Sequence, residues 1–249
     1  MKSNCIKYAL FAIAFMLATS LCAAAGAQAY STVVRVYDEH NEIISESTYN
    51  AGDTPIAQPK GLSTRTEYDE ENRVIAEWYF DEDAEPTIIA EGYASYRRDY
   101  DDELNTMRES YYGASGQPVL CKNGYAVIEK EYDENGRTIV ERYYGTDESP
   151  IDLQKGYAGL SRVYNEAGQV ARMSYYDGEG NLVVTKDGYA IIDKEYDEQG
   201  RTIVERYYGT DESPIDLQKG YAGLSRIYNE AGQVARMSYY DGEGNLVVT

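Results

Sequence analysis

Beyond the first thirty residues, apolar and polar positions alternate in short runs broken by turn residues. Residues 125–144 show the pattern best. Tyr125-Ala-Val-Ile-Glu-Lys-Glu-Tyr132 puts Ala126, Ile128 and Tyr132 on one side of an extended chain, with the Lys130 stem between them. Glu129 and Glu131 fall on the other side, because successive side chains of a strand point to opposite faces. Asp133-Glu134-Asn135-Gly136 then supplies turn residues, with Gly at the position that needs φ > 0. The chain returns as Arg137-Thr-Ile-Val-Glu-Arg-Tyr-Tyr144, rich in β-branched and aromatic residues. A second turn over Gly145 to Pro150 and a short strand over Ile151 to Leu153 complete the segment. No apolar stripe at helical spacing competes with this pattern.

The pattern repeats. Gly-Tyr-Ala recurs at Gly92, Gly124, Gly156, Gly188 and Gly220, always 32 residues apart. Residues Gly124 to Thr185 and Gly188 to Thr249 are two 62-residue blocks that differ only at Val127/Ile191, Glu129/Asp193, Asn135/Gln199 and Val163/Ile227. Such a period is the signature of a repeat architecture. The expected fold is all-β, an elongated array of about seven 31–32-residue β-hairpin repeats. Its units are 30–60, 61–91, 92–123, 124–155, 156–187, 188–219 and 220–249, in a twisted antiparallel sheet or solenoid-like stack.

Each unit carries two related turns. Tyr176-Asp177-Gly178-Glu179-Gly180-Asn181 has the same grammar as Tyr132-Asp133-Glu134-Asn135-Gly136-Arg137. Gly136, Gly168, Gly180, Gly200, Gly232 and Gly244 are the structural turn glycines this grammar places at positive φ. Tyr132 to Arg137, and Tyr196-Asp197-Glu198-Gln199-Gly200-Arg201, resemble the Tyr-Asp-x-x-Gly-Arg core of bacterial YD (RHS-type) repeats. They are also similar to the Tyr-x-x-Asn-Gly-x motif of MORN-like repeat proteins. The resemblance implies β-hairpin repeats in exported or surface proteins, used as shells, stalks or binding surfaces. Tyr164-Asn165-Glu166-Ala167-Gly168-Gln169 departs from it in lacking the Asp and Arg, and the 32-residue spacing is long for either family.

The chain holds 27 tyrosines. Adjacent pairs such as Tyr143 and Tyr144 must face opposite ways. One row is expected in the core; the other is expected on an exposed face, where Tyr144, Tyr176, Tyr208 and Tyr240 are the candidate ligand-contacting residues.

Residues 1–29 read as a signal peptide. Lys2 and Lys7 precede an apolar run from Ala9 to Ala25, and Ala27-Gln28-Ala29 fits a small-x-small cleavage site. An uncleaved anchor is the alternative. The expected location is therefore secreted or cell-surface. Cleavage leaves Cys121 as the sole cysteine, so no disulfide framework is expected. The formal net charge is −20, and loss of the two leader lysines makes the chain more acidic still. Such a surface repels phosphate backbones and anionic lipids, so nucleic acid is not an expected partner. It also keeps an edge-rich β protein in solution.

No catalytic constellation emerges. His40 is the single histidine and sits in a turn, which leaves no material for a nucleophilic triad or a His-based zinc site. No enzymatic activity and no cofactor are expected. Asp177, Glu179 and Asn181, with their copies Asp241, Glu243 and Asn245, alternate oxygen ligands as calcium loops do. They lack the glycine and distal bidentate Glu of an EF-hand, so they stand only as weak calcium candidates and no metal site is assigned. The expected function is a structural, adhesive or binding surface, with a multivalent protein or cell-wall polymer as partner. Two alternatives stand beside it. One is a small-ligand module for carbohydrate or a choline-like group; aromatic choline-binding repeats are a partial parallel, though Trp78 is the only tryptophan here. The other is a truncated relic of a larger YD-repeat surface protein.

Overall fold

The computed structural model describes residues 31–37, 43–50, 63–81 and 83–248. The leader and the His40 turn lie outside the described residues. The chain divides into two compact units, 1–87 and 88–249. Every regular element among the described residues is a β-strand.

In the first unit, β1 (Ser31–Tyr37), β2 (Ile43–Asn50), β3 (Ser63–Tyr68) and β4 (Val74–Phe80) pair antiparallel in chain order. The second unit repeats the scheme with β5 (Ser95–Asp101), β6 (Thr106–Tyr112), β7 (Val127–Tyr132), β8 (Thr138–Tyr144), β9 (Gly159–Tyr164) and β10 (Val170–Tyr176). It continues with β11 (Ile191–Tyr196), β12 (Thr202–Tyr208), β13 (Gly223–Tyr228), β14 (Val234–Tyr240) and the short β15 (Leu246–Val248). Within this second unit, from β5 to β15, each strand pairs antiparallel with its chain neighbours. The protein is an all-β array of hairpin repeats.

The hairpin turns follow from their residues. In the turn after β7, Gly136 N–H donates to Asp133 O, and Asp133 N–H donates to Arg137 O. Gly136 stands at φ 74°, and the ladder shifts register at Glu131/Tyr132. This is a type I turn closed by a left-handed residue and a bulge. The Asp133 carboxylate accepts the amides of Asn135 and Arg137 through Oδ1 and the Arg137 Nε through Oδ2. The Arg137 guanidinium lies 4.6 Å from the ring centroid of Tyr164 in the next hairpin, and Arg201 lies likewise over Tyr228. The Tyr-Asp-x-x-Gly-Arg motif thus caps one turn and clamps it to its neighbour.

The second turn repeats this bonding from Gly145 to Ser149, as its sequence implies. The expected strand over Ile151 to Leu153 does not form. Instead, Tyr144 and Pro150 make one isolated bridge, and Ile151 N–H donates to Tyr143 O. A third turn follows at once and ends the pairing, as it also does after the Tyr176–Leu182 bridge. There Leu153 N–H donates to Tyr157 O, Gly156 N–H donates to Leu153 O, and Gly156 stands at φ 83°. The glycine of Gly-Tyr-Ala is therefore a left-handed turn residue.

That turn carries the following tyrosine and alanine into the core. Ala126 and Ala190 are fully buried. The tyrosine intercalates. Tyr93, Tyr111, Tyr125, Tyr143, Tyr157, Tyr175, Tyr189, Tyr207, Tyr221 and Tyr239 form one continuous column, with ring centroids between 4.7 and 6.2 Å apart. These are edge-on and tilted contacts of the kind aromatic quadrupoles favour. The apolar residues Ile128, Leu160, Ile192 and Leu224 are buried in the same repeating core.

Candidate binding face

The ladder register sorts the side chains between two faces, since directly paired residues share a face. Ile128 pairs with Tyr143, and Val127 with Tyr144. The face with the tyrosine column is closed by its own polar bonds. Glu205 accepts from the Tyr207 hydroxyl at 2.7 Å and from Arg226 at 3.2 Å. Glu141 does the same with Tyr143 and Arg162, and Glu109 with Tyr111 and Arg98. Burial, then the bond to the neighbouring carboxylate, pushes the phenols of Tyr111, Tyr143 and Tyr207 far above their ordinary range.

Tyr144, Tyr176, Tyr208 and Tyr240 lie on the opposite face, as their spacing implies, but they are half-buried rather than open. The Tyr144 hydroxyl donates to Glu129 at 2.7 Å, and burial followed by that bond pushes its phenol up to about 12. The hydroxyls of Tyr176 and Tyr240 pair with Ser161 and Ser225 at 3.1 and 3.3 Å. The row is thus locked in place by its neighbours.

The gaps between consecutive tyrosines of this row alternate. Between Tyr176 and Tyr208, the gap is filled by the buried Ile191 and by Arg172, whose guanidinium lies 5.7 Å from the Tyr208 ring centroid. Arg172 is held by Asp193 at 3.6 Å and Glu212 at 2.8 Å. Before Tyr144, Val127 is buried and Arg108 lies 5.5 Å from the ring centroid, bonded to Glu129 and Glu148. Between Tyr208 and Tyr240, the corresponding residues are Gly223, Val204 and Ser225, aligned by the pairs Val204–Ser225, Arg206–Gly223 and Gly223–Tyr240. A cleft of about 370 Å³ opens there, lined among others by Tyr208, Tyr240, Pro214, Gly223 and Ser225. Arg206 stands at its rim, its guanidinium drawn 2.5 Å from Glu195 on the strand away from Gly223.

The weak calcium candidates are turn caps. The Asp177 carboxylate accepts the amides of Glu179 and Asn181, and Asp241 accepts those of Glu243 and Asn245. These bonds hold both carboxyls below the usual carboxylate range, with the Asn181 amide the largest cause for Asp177 and the Asn245 side chain the largest for Asp241. No cluster of three or more His, Cys, Asp or Glu able to hold a metal occurs among the described residues. The six turn glycines named from sequence stand at φ between 74° and 86°. Cys121 is a buried free thiol in a third turn.

The cleft was not singled out in the sequence. Its signal is a substitution pattern inside the repeat: glycine at 159 and 223 where Val127 and Ile191 stand in the sister units.

No known protein family matches the chain, and no curated protein matches it. Among solved structures, it is similar to a chain of a Photorhabdus luminescens Tc holotoxin pore at 12% identity, with a TM-score of 0.27, over 87% of this chain and 14% of that one. A TcdB2–TccC3 crystal structure gives 11% identity, a TM-score of 0.26, and coverage of 88% and 14%. Another gives 14%, 0.25, and coverage of 87% and 13%. The chain thus spans about one-seventh of the length of the structures it matches, and no functional reading follows from likeness at this level.

Proposed function

We propose that this protein is an exported repeat scaffold that works by presenting a binding surface more than once, and that it catalyses no reaction. One observation carries the reading: the double unit repeats in bonds as well as in residues. Tyr164 donates to Thr138 O at 2.8 Å and Tyr228 to Thr202 O at 2.9 Å; Arg162 meets Glu141 at 3.0 Å and Arg226 meets Glu205 at 3.2 Å. Whatever one block offers a partner, the other offers again 64 residues later. Two copies of a weak site that engage one polymer gain affinity through effective concentration, by a factor of about 10² to 10⁴. A protein or cell-wall polymer that is neutral or basic, and not a nucleic acid, suits the charge.

The test compares the whole chain with one lacking residues 188–249, on insoluble cell-wall polymer and on immobilised surface protein fractions. The shortened chain is expected to bind at least about tenfold more weakly. Equal affinity would mean a single site and would refute the multivalent reading.

A further inference from the structure

The alternation of filled and open gaps has a chemical meaning. In the gaps before Tyr144 and before Tyr208, one β-branched side chain, one arginine and the acidic residue paired with it (Glu129 or Asp193) occupy the space beside the ring. In the gap before Tyr240, all three equivalent positions are reduced at once, to Gly223, Val204 and Ser225. A Cβ at Gly223 would stand 3.0 Å from Glu205 O, a tight contact, although the sister positions carry Val127 and Ile191. The residues at 140–144, 150, 158–161, 176–178 and 180 repeat every lining residue of the cleft, identity for identity, around Gly159.

We propose that the cleft between Tyr208 and Tyr240, together with its twin between Tyr144 and Tyr176, binds one neutral pyranose ring of a glycan. This deepens the binding-surface reading above and rests on it. The two tyrosines are two strand steps apart, roughly 10 Å at the usual strand spacing. That leaves room for one flat ring between aromatic walls. The faces of a pyranose carry C–H groups that suit the electron-rich faces of tyrosine. Its edges carry hydroxyls, and the cleft answers with the Ser225–Tyr240 hydroxyl pair, which supplies both a donor and an acceptor. The volume lies at the lower end for small-molecule sites. A quaternary ammonium group is disfavoured because it needs an aromatic cage, and this face of the cleft offers only the two tyrosines.

The experiment uses the full chain and calorimetric titration with neutral hexasaccharides of β-1,4-glucan, β-1,3-glucan and β-1,4-linked N-acetylglucosamine. Choline and a proline-rich peptide serve as comparison ligands. Val204→Arg and Val140→Arg plug the clefts with the side chain that the sister gaps carry, and an unchanged circular dichroism spectrum confirms that each variant is folded. At least one hexasaccharide is expected to bind, with Val204→Arg removing the Gly223 site and the double variant weakening binding at least tenfold. Unchanged binding in the double variant would overturn the proposal, as would binding of choline or the peptide in place of the glycans. If no hexasaccharide binds while the 188–249 deletion still weakens polymer binding, the cleft assignment fails and the multivalent surface stands.

Discussion

Replacing Tyr207 with alanine is expected to cost about 3–5 kcal/mol of stability, as large aromatic truncations in a core do. The ring is 6% exposed and sits 5.0 Å from Tyr189 and 6.2 Å from Tyr221, so its loss opens a void in the middle of the column. It also deprives Glu205 of one of its two donors. Tyr207→Phe keeps the ring and leaves Glu205 with Arg226, and should cost only about 1 kcal/mol. Tyr143 has the same neighbours one block earlier, at 5.0 and 6.1 Å, so Tyr143→Ala should lose a similar amount. Tyr208→Ala, on the half-buried row, should lose less. Urea unfolding of the four variants gives the comparison. A small loss at Tyr207 and a large one at Tyr208 would place the core on the wrong face.

The second large effect is alkaline unfolding. Burial raises the phenols of Tyr111, Tyr143, Tyr189 and Tyr207 well above the usual tyrosine value, with a carboxylate bond adding to it at Tyr111, Tyr143 and Tyr207 and a neighbouring tyrosine adding at Tyr189. A group whose pKa is raised on folding contributes stability in full below its unfolded pKa and loses that contribution as pH rises toward the folded value. Unfolded tyrosine ionises near pH 10. The fold should therefore hold to about pH 10 and then unfold cooperatively between roughly pH 10 and 12. Absorbance at 295 nm and far-ultraviolet circular dichroism should change together over that window. A smooth ionisation of the column tyrosines near pH 10 with the circular dichroism unchanged would show that they are not buried.

Much of this architecture is legible in the chain. The strands around Glu129 and Val140 and the Asp133–Gly136 turn follow from alternation and turn chemistry alone. The third turn is harder to read. Gly156 lies between Lys155 and Tyr157 with no Asp-x-x-Gly frame, and only its backbone bonds to Leu153 and Tyr157 define it. Which tyrosine row is core is also hidden, because both members of Tyr143-Tyr144 are tyrosine. The choice is made by Tyr125 and Tyr157, which the third turn swings into the column from either side of Tyr143. The cleft is less legible still. Gly223 becomes informative only once the register sets it beside Arg206 and Tyr240.

The central claim is that two nearly identical sequences build the same structure twice and so present the same surface twice. Amide hydrogen exchange, resolved along the full chain, tests it most directly. The amides of Tyr111, Tyr143, Tyr175 and Tyr207 each donate to the alanine carbonyl of the following Gly-Tyr-Ala or its equivalent, at 2.8 or 2.9 Å. Protection should peak at these amides every 32 residues, with superimposable profiles over residues 124–184 and 188–248 outside the last strands. Protection without that period, or with one block protected and the other exchanging freely, would contradict the claim.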